Sequence, residues 1–171
     1  MKKIFIFLFL FPLINLSQGN RGYIVSIGDK SPEFSLNEKN FLEQNKGKVI
    51  MLQFTASWCS VCIREMPYIE KEIWLKHKEN DDFVLIALAK DTEQFPQGGN
   101  EISQMIEKTD VTYPVFRDEN SKIFHLYAEN KAGVTRNVII DKKGNIAFLT
   151  RLFERNEFNE MKNKINNLLN N

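Results

Sequence analysis

The sequence predicts an α/β protein in which a central mixed β-sheet is flanked by helices on both faces. Three observations carry this expectation. Two continuous apolar runs, 48–55 and 83–89, read as strands buried on both faces, and each is followed by a stretch of helical periodicity. Two shorter apolar runs, 138–140 and 146–149, flank Asp141-Lys142-Lys143-Gly144, a hairpin turn with glycine where positive φ is cheap. The chain then closes on an amphipathic stretch, 156–169, striped by Phe158, Met161, Ile165, Leu168 and Leu169. Two strand–helix units joined to a hairpin and a final helix make a mixed sheet covered on both sides.

Met1-Lys2-Lys3 is a basic start, 4–16 is almost wholly apolar, and Ser17-Gln18-Gly19 offers small residues for cleavage. Residues 1–19 therefore read as a cleaved secretory signal, and 20–171 as one domain. The apolar run falls short of the roughly 20 residues a spanning helix needs. No cysteine lies near the cleavage region, so lipid anchoring through one is excluded. Short strands are expected at 23–27 and 34–36, around the Gly28-Asp29-Lys30-Ser31-Pro32 turn. After strand 48–55, Cys62, Met66, Ile69 and Ile73 trace one face of a helix over 59–80, with a kink at Pro67, which lacks a donor and crowds the carbonyl of Ile63. After strand 83–89, 91–99 is loop and 100–108 helix. A short strand at 114–116 and a short helix at 121–127 complete the middle of the chain.

A composition of 43% hydrophobic and 26% charged residues is ordinary for a globular domain, without repeats or low-complexity tracts. Loss of Lys2 and Lys3 leaves 21 basic residues against 22 acidic ones, a formal charge of −1, so nothing favours nucleic acid or an anionic membrane. The chain has 2 cysteines, Cys59 and Cys62, at a spacing too tight to staple a fold. At i and i+3 on a helix their Cβ atoms lie about 5–6 Å apart, close enough for reversible disulfide closure. Their purpose is chemical.

The segment Phe54-Thr55-Ala56-Ser57-Trp58-Cys59-Ser60-Val61-Cys62-Ile63-Arg64-Glu65-Met66-Pro67 resembles the active site of thioredoxin-like proteins. More narrowly, it is similar to exported thiol-disulfide oxidoreductases of the TlpA/ResA type, which read Trp-Cys-x-x-Cys with Glu three residues on and Pro two after that. Gly28-Asp29-Lys30-Ser31-Pro32-Glu33-Phe34 is also typical of that group and of peroxiredoxins. The resemblance runs from about Val25 to Leu169 and implies a thioredoxin-like fold and dithiol–disulfide exchange.

Within that resemblance Cys59, at a helix N-terminus where the thiolate is favoured, is the expected nucleophile, and Cys62, one turn deeper, the resolving thiol. Trp58 either packs beside the pair or is an ordinary core aromatic. The resemblance gives Glu65 a role in tuning thiol acidity and shuttling protons, against its reading as a surface residue that favours the helix dipole. Where thioredoxin-like proteins place a cis-proline before the facing strand, this chain has Thr135, and a trans peptide is the default there. Trp58, Thr135 and Arg136 are the expected substrate contacts. Arg136 reads either as a charge beside the Cys59 thiolate or as a solvated loop arginine.

Two other chemistries are open to a Cys-x-x-Cys pair in such a fold. A metal site built from Cys59, Cys62, His77 and His125 lacks the spacing of a second ligand pair. A peroxiredoxin-like thiol peroxidase would need Thr or Ser where Ala56 stands and Pro where Leu52 stands. A redox-inert binding module fits poorly with both cysteines kept. The expectation is a disulfide reductase, with oxidation as the alternative direction, placed in the periplasm or otherwise outside the cytoplasm and without cofactor. It would be monomeric, act on protein disulfides and receive electrons from a membrane-embedded donor.

Overall fold

The structure is a computed structural model that describes residues 21–171; the expected signal at 1–19 lies outside the described residues. Its centre is β3 (Val49–Thr55), where all seven residues are buried. Strand alternation sends Ile50, Leu52 and Phe54 into one apolar layer, and Val49 and Met51 into the other. Parallel to β3 lies β4 (Phe83–Lys90), and parallel to β4 lies β5 (Val115–Asp118). On the other side β6 (Arg136–Ile140) runs antiparallel to β3, and β7 (Ile146–Arg151) antiparallel to β6. The sheet order is β5-β4-β3-β6-β7, the mixed sheet the sequence predicts.

One layer holds Met66, Ile69 and Ile73, Met105, and Phe158, Met161 and Ile165. These come from α2 (Ser60–Ile69) and its π-helical continuation, α4 (Gly99–Thr109) and α6 (Arg155–Leu169). The opposite layer is closed by α1 (Phe41–Gln44), α5 (Phe124–Tyr127) and the chain leading into them. Phe54 sits at its centre, edge-on to Phe124 at 5.4 Å and tilted against Tyr127 at 5.6 Å.

Several expectations are corrected. Residues 23–27 form no strand: Tyr23 makes one bridge to Ala128, and Ile24 and Ile27 are exposed. Its backbone partner is the chain after α5, where Ile24 N donates to Tyr127 O, and the contact with β7 comes only at Gly28, which donates to Ile146 O. Strand 34–36 shortens to β1 (Ser35–Leu36), which pairs with an unpredicted β2 (Lys39–Asn40). The helix expected over 59–80 is α2, then a π-helical segment, Glu70–Trp74, then α3 (Leu75–His77). Pro67 lies inside α2 and cannot donate to Ile63, and the helical ladder re-forms with wider spacing one turn later. The short helix at 121–127 begins instead as a 3₁₀ turn, Glu119–Ser121, before α5. In the β6–β7 turn Gly144 has φ +79° and donates to Asp141 O at 2.8 Å, as the turn sequence requires.

Phe54→Ala empties the centre of the α5-side layer. It is expected to lower unfolding free energy by about 3–5 kcal/mol, read from the midpoint of urea denaturation at unchanged slope.

Candidate active site

The site forms where β3 ends and α2 begins. Cys59 is the N-cap of α2, in extended conformation, and its Sγ accepts the Cys62 N–H at 3.2 Å. Cys59 and Cys62 are joined as a disulfide with Cα atoms 5.3 Å apart. Cys59 retains 8% exposure while Cys62 has none, so the first cysteine is the more accessible of the two. A thiolate at Cys59 would receive the N-terminal donors and dipole of α2, the environment that lowers thiol pKa.

Thr135 closes the other side of the pair. Its Oγ1 lies 3.2 Å from Cys59 Sγ and 3.2 Å from Cys62 Sγ, and it is 3% exposed. The pairing of Phe54 with Arg136 across β3 and β6 brings the residue before β6 opposite the start of α2. No peptide bond among the described residues is cis, so the Val134–Thr135 bond is trans.

Trp58 is not a core aromatic. It is 46% exposed and tilts against Phe95, also exposed, with ring centroids 4.9 Å apart. Phe95 belongs to the loop between β4 and α4, which Gln97 ties to the site: its Oε1 accepts the Ser57 N–H at 2.8 Å, and its own N–H is held by Asp91 Oδ1 at 2.7 Å. Burial alone would raise the Asp91 pKa, but the Gln97 N–H and the Arg117 guanidinium outweigh it and hold the carboxyl below its usual range.

Glu65 is buried, 1% exposed, rather than a surface residue. Its Oε1 accepts from Asn137 Nδ2 at 2.8 Å, and the same amide nitrogen reaches Thr150 Oγ1 at 2.9 Å. Burial pushes the Glu65 pKa up to about 7, against the opposing hydrogen bond from Asn137 and the amide of Gln53, and the charge of Glu157 adds to the rise. A carboxyl one helical turn beyond Cys62 therefore exchanges its proton near neutrality.

Arg136 is neither of the alternatives expected for it. It is 1% exposed, donates through Nε to Gly133 O at 2.9 Å and through Nη2 to Arg21 O at 2.8 Å, and stacks over the Tyr23 ring at 4.4 Å. The guanidinium ties the chain before β1 to the sheet, and these contacts turn it away from a substrate. The histidines are not gathered at the cysteines: His77 on α3 bonds Asn166 at 3.0 Å and edges onto Phe83, and His125 edges onto Phe124. Among the described residues no three His, Cys, Asp or Glu side chains are grouped to hold a metal. At the end of β3, Ala56 is buried and offers no hydroxyl.

A family model described as Redoxin matches residues 26–169. The chain belongs to the Redoxin family. Among curated Redoxin-like relatives, the thiol-disulfide oxidoreductase ResA of Oceanobacillus iheyensis is 30% identical over 121 residues, covering 66% of this chain and 58% of that protein. The thioredoxin-like protein YneN of Bacillus subtilis is 29% identical over 122 residues, covering 68% and 66%. The match thus spans little more than half of the ResA protein's own length. The solution structure of a candidate protein disulfide isomerase from Bacteroides thetaiotaomicron is 46% identical, with a TM-score of 0.80 over 88% of this chain and 94% of that one. A candidate DsbE-type thiol:disulfide interchange protein from Chlorobium tepidum shares the fold at 22% identity and a TM-score of 0.69, covering 85% and 99%. The Redoxin-family fold is therefore thioredoxin-like, as the motif around Cys59 implies.

Glu65 makes this Redoxin-family domain less stable as pH rises. The folded state keeps the proton up to about pH 7, whereas the unfolded chain releases it in the ordinary glutamate range, so unfolding gains from ionisation across that window. Wild-type stability is expected to fall relative to Glu65→Gln by about 3 kcal/mol between pH 4.5 and 7, then to run parallel, as measured by denaturant titration at each pH. In the reduced protein, Thr135→Val is expected to raise the pH midpoint of Cys59 alkylation by about one pH unit, because a donor to the thiolate is lost.

Proposed function

We propose that this chain is an exported thiol-disulfide oxidoreductase that reduces disulfides in client proteins. One observation carries the reading: a disulfide at the N-terminus of α2 whose first cysteine keeps a small exposure while the second has none. The relatives named ResA and the Bacteroides structure support the activity class.

In the reduced enzyme the Cys59 thiolate attacks one sulfur of a client disulfide. A Cys59–client bond forms, the client's S–S bond breaks, and its other sulfur leaves as a thiolate that takes a proton from solvent. Glu65, ionised at and above about pH 7, accepts the Cys62 proton as that sulfur attacks Cys59 Sγ. The Cys59–Cys62 disulfide forms and the second client thiolate departs. Two electrons have passed to the client, and a dithiol donor must return two to the enzyme. The exposed Trp58 ring beside Cys59 supplies an apolar surface for the client chain, and Thr135 holds the sulfurs from the opposite side.

Export is supported by the basic, apolar and small-residue succession of 1–19. Outside the cytoplasm the electrons must cross a membrane, which makes a membrane-embedded dithiol donor the partner for the monomeric domain. Reduction is the direction we assign; Glu65, one helical turn beyond Cys62, takes up the Cys62 proton in that direction and returns it in the reverse one, and the relative reduction potentials of enzyme and client decide between them. Peroxide reduction is disfavoured by Ala56, which leaves a bound peroxide without the hydroxyl that would polarise it.

Cys62→Ser is expected to accumulate client adducts that dithiothreitol releases, and Cys59→Ser to accumulate none, read on non-reducing gels of the exported fraction. Equal adducts from both variants, or none from either, would remove the assignment of roles.

A further inference from the structure

The layer beneath the disulfide contains buried polar atoms with no hydrogen-bond partner among the described residues, and they cluster on one carboxyl group. Glu65 Oε2, Gln53 Nε2 and Asn137 Oδ1 are all in this state. Gln53 lies on β3 with no exposure, in a strand whose other inward residues on that face are apolar or Thr55. Its orientation is fixed from the far side: Tyr113 Oη donates to Gln53 Oε1 at 2.9 Å. A planar amide whose carbonyl is held in this way turns its two N–H groups in the opposite direction. Tyr113 itself has little freedom. It is 2% exposed, lies edge-on to Trp74, and follows Thr112, whose N–H and hydroxyl both donate to Glu70 at 2.8 and 2.7 Å.

Asn137 occupies Glu65 Oε1, so Oε2 is the oxygen free to receive Gln53. Gln53 stands directly opposite Asn137 in the β3–β6 pairing, and Asn137 holds Glu65 Oε1, so the Gln53 amide lies on the sheet face that carries the carboxyl, although no closed hydrogen bond is present in the oxidised state. A donor of this kind gains most when its acceptor carries charge, since a charge-assisted bond is shorter and roughly twice as strong as a neutral one. The groups around Glu65 leave the task to the two amides. Cys62 on α2 is in the disulfide, and burial holds the Tyr113 hydroxyl neutral well above its usual range. Thr150 on β7 is neutral, and Glu157 on α6, ion-paired with Arg21, opposes the charge.

We propose that Gln53 is a positioning residue for Glu65: with its carbonyl anchored by Tyr113, it presents Nε2 to the carboxyl oxygen that Asn137 leaves free and so favours the ionised form. The inference rests on the reading of Glu65 as the group that accepts the Cys62 proton. It extends the redox site through the sheet to Tyr113, a residue that touches neither sulfur.

The test follows Glu65 itself by carboxyl NMR of ¹³C-labelled oxidised protein across the pH range, in wild type, Tyr113→Phe, Gln53→Leu and the double variant. Gln53→Leu is expected to raise the Glu65 midpoint by about one pH unit, and Tyr113→Phe to raise it by a smaller amount. In the Gln53→Leu background, Tyr113→Phe should add nothing, because Tyr113 acts only through Gln53; a merely structural role would not produce that non-additivity. Should Gln53→Leu fail to fold, Tyr113→Phe, which removes a single oxygen, carries the test. Unmoved midpoints in the single variants, or additive shifts in the double one, overturn the proposal. The pH profile of Cys59 alkylation in Glu65→Gln separates the two failures. A changed profile with unmoved midpoints keeps Glu65 and discards Gln53, whereas an unchanged profile removes the reading on which the proposal rests.

Discussion

Cys59 Sγ receives the Cys62 N–H because Cys59 stands in the N-cap position of α2, where helix donors have no backbone partner. For a sulfur to stand there, β3 must stop at Thr55, and the chain must turn through Ala56, Ser57 and Trp58 before the helix starts. The buried strand fixes the start of that path, and the Gln97 side-chain oxygen, which accepts the Ser57 N–H, fixes the turn. Antiparallel pairing with β6 then brings Thr135 against both sulfurs. The geometry of the pair is thus set by backbone partners rather than by the cysteines.

Beneath the pair, the face of the sheet that α2 covers carries Gln53, Thr55 and Asn137 together with Glu65. In a layer otherwise filled by apolar and aromatic side chains, such groups are costly unless they satisfy one another. They do so partly: Asn137 bridges Glu65 and Thr150, and the Thr55 hydroxyl rests on the sulfurs of Met66 and Met105. The unsatisfied remainder lies around the Glu65 carboxyl. Weak solvation and only partial hydrogen bonding are what bring that acid into the neutral range.

The sheet, its covering helices and the roles of the cysteines were legible in the sequence, because long apolar strands and a Cys-x-x-Cys at a strand-to-helix junction are local patterns. Glu65 was legible by resemblance, but its burial was not, since α2 alone does not reveal what packs over it. Gln53 and Asn137 were visible as polar residues in strands otherwise apolar, a signal that periodicity treats as noise. Arg136 was misplaced because its partners, Gly133 O, Arg21 O and the Tyr23 ring, include a chain segment more than a hundred residues away. Residues 23–27 are rich in β-formers like a strand, but their partner is the chain at Tyr127 and Ala128, about a hundred residues on, which a local pattern does not show. Phe95 and Gln97 lay in a loop whose importance depends on where it folds back.

The widened turn at Glu70–Trp74 has a reach beyond the helix that contains it. An extra residue in a helical turn rotates everything after it about the axis, so Glu70 and Trp74 both arrive over Thr112, which they grip through its N–H and hydroxyl. The neighbour of Thr112 is Tyr113. The irregularity thereby sets the angular phase of a helix whose far end aligns the loop leading into β5, and it works as a spacer that keeps two distant walls of one site in step.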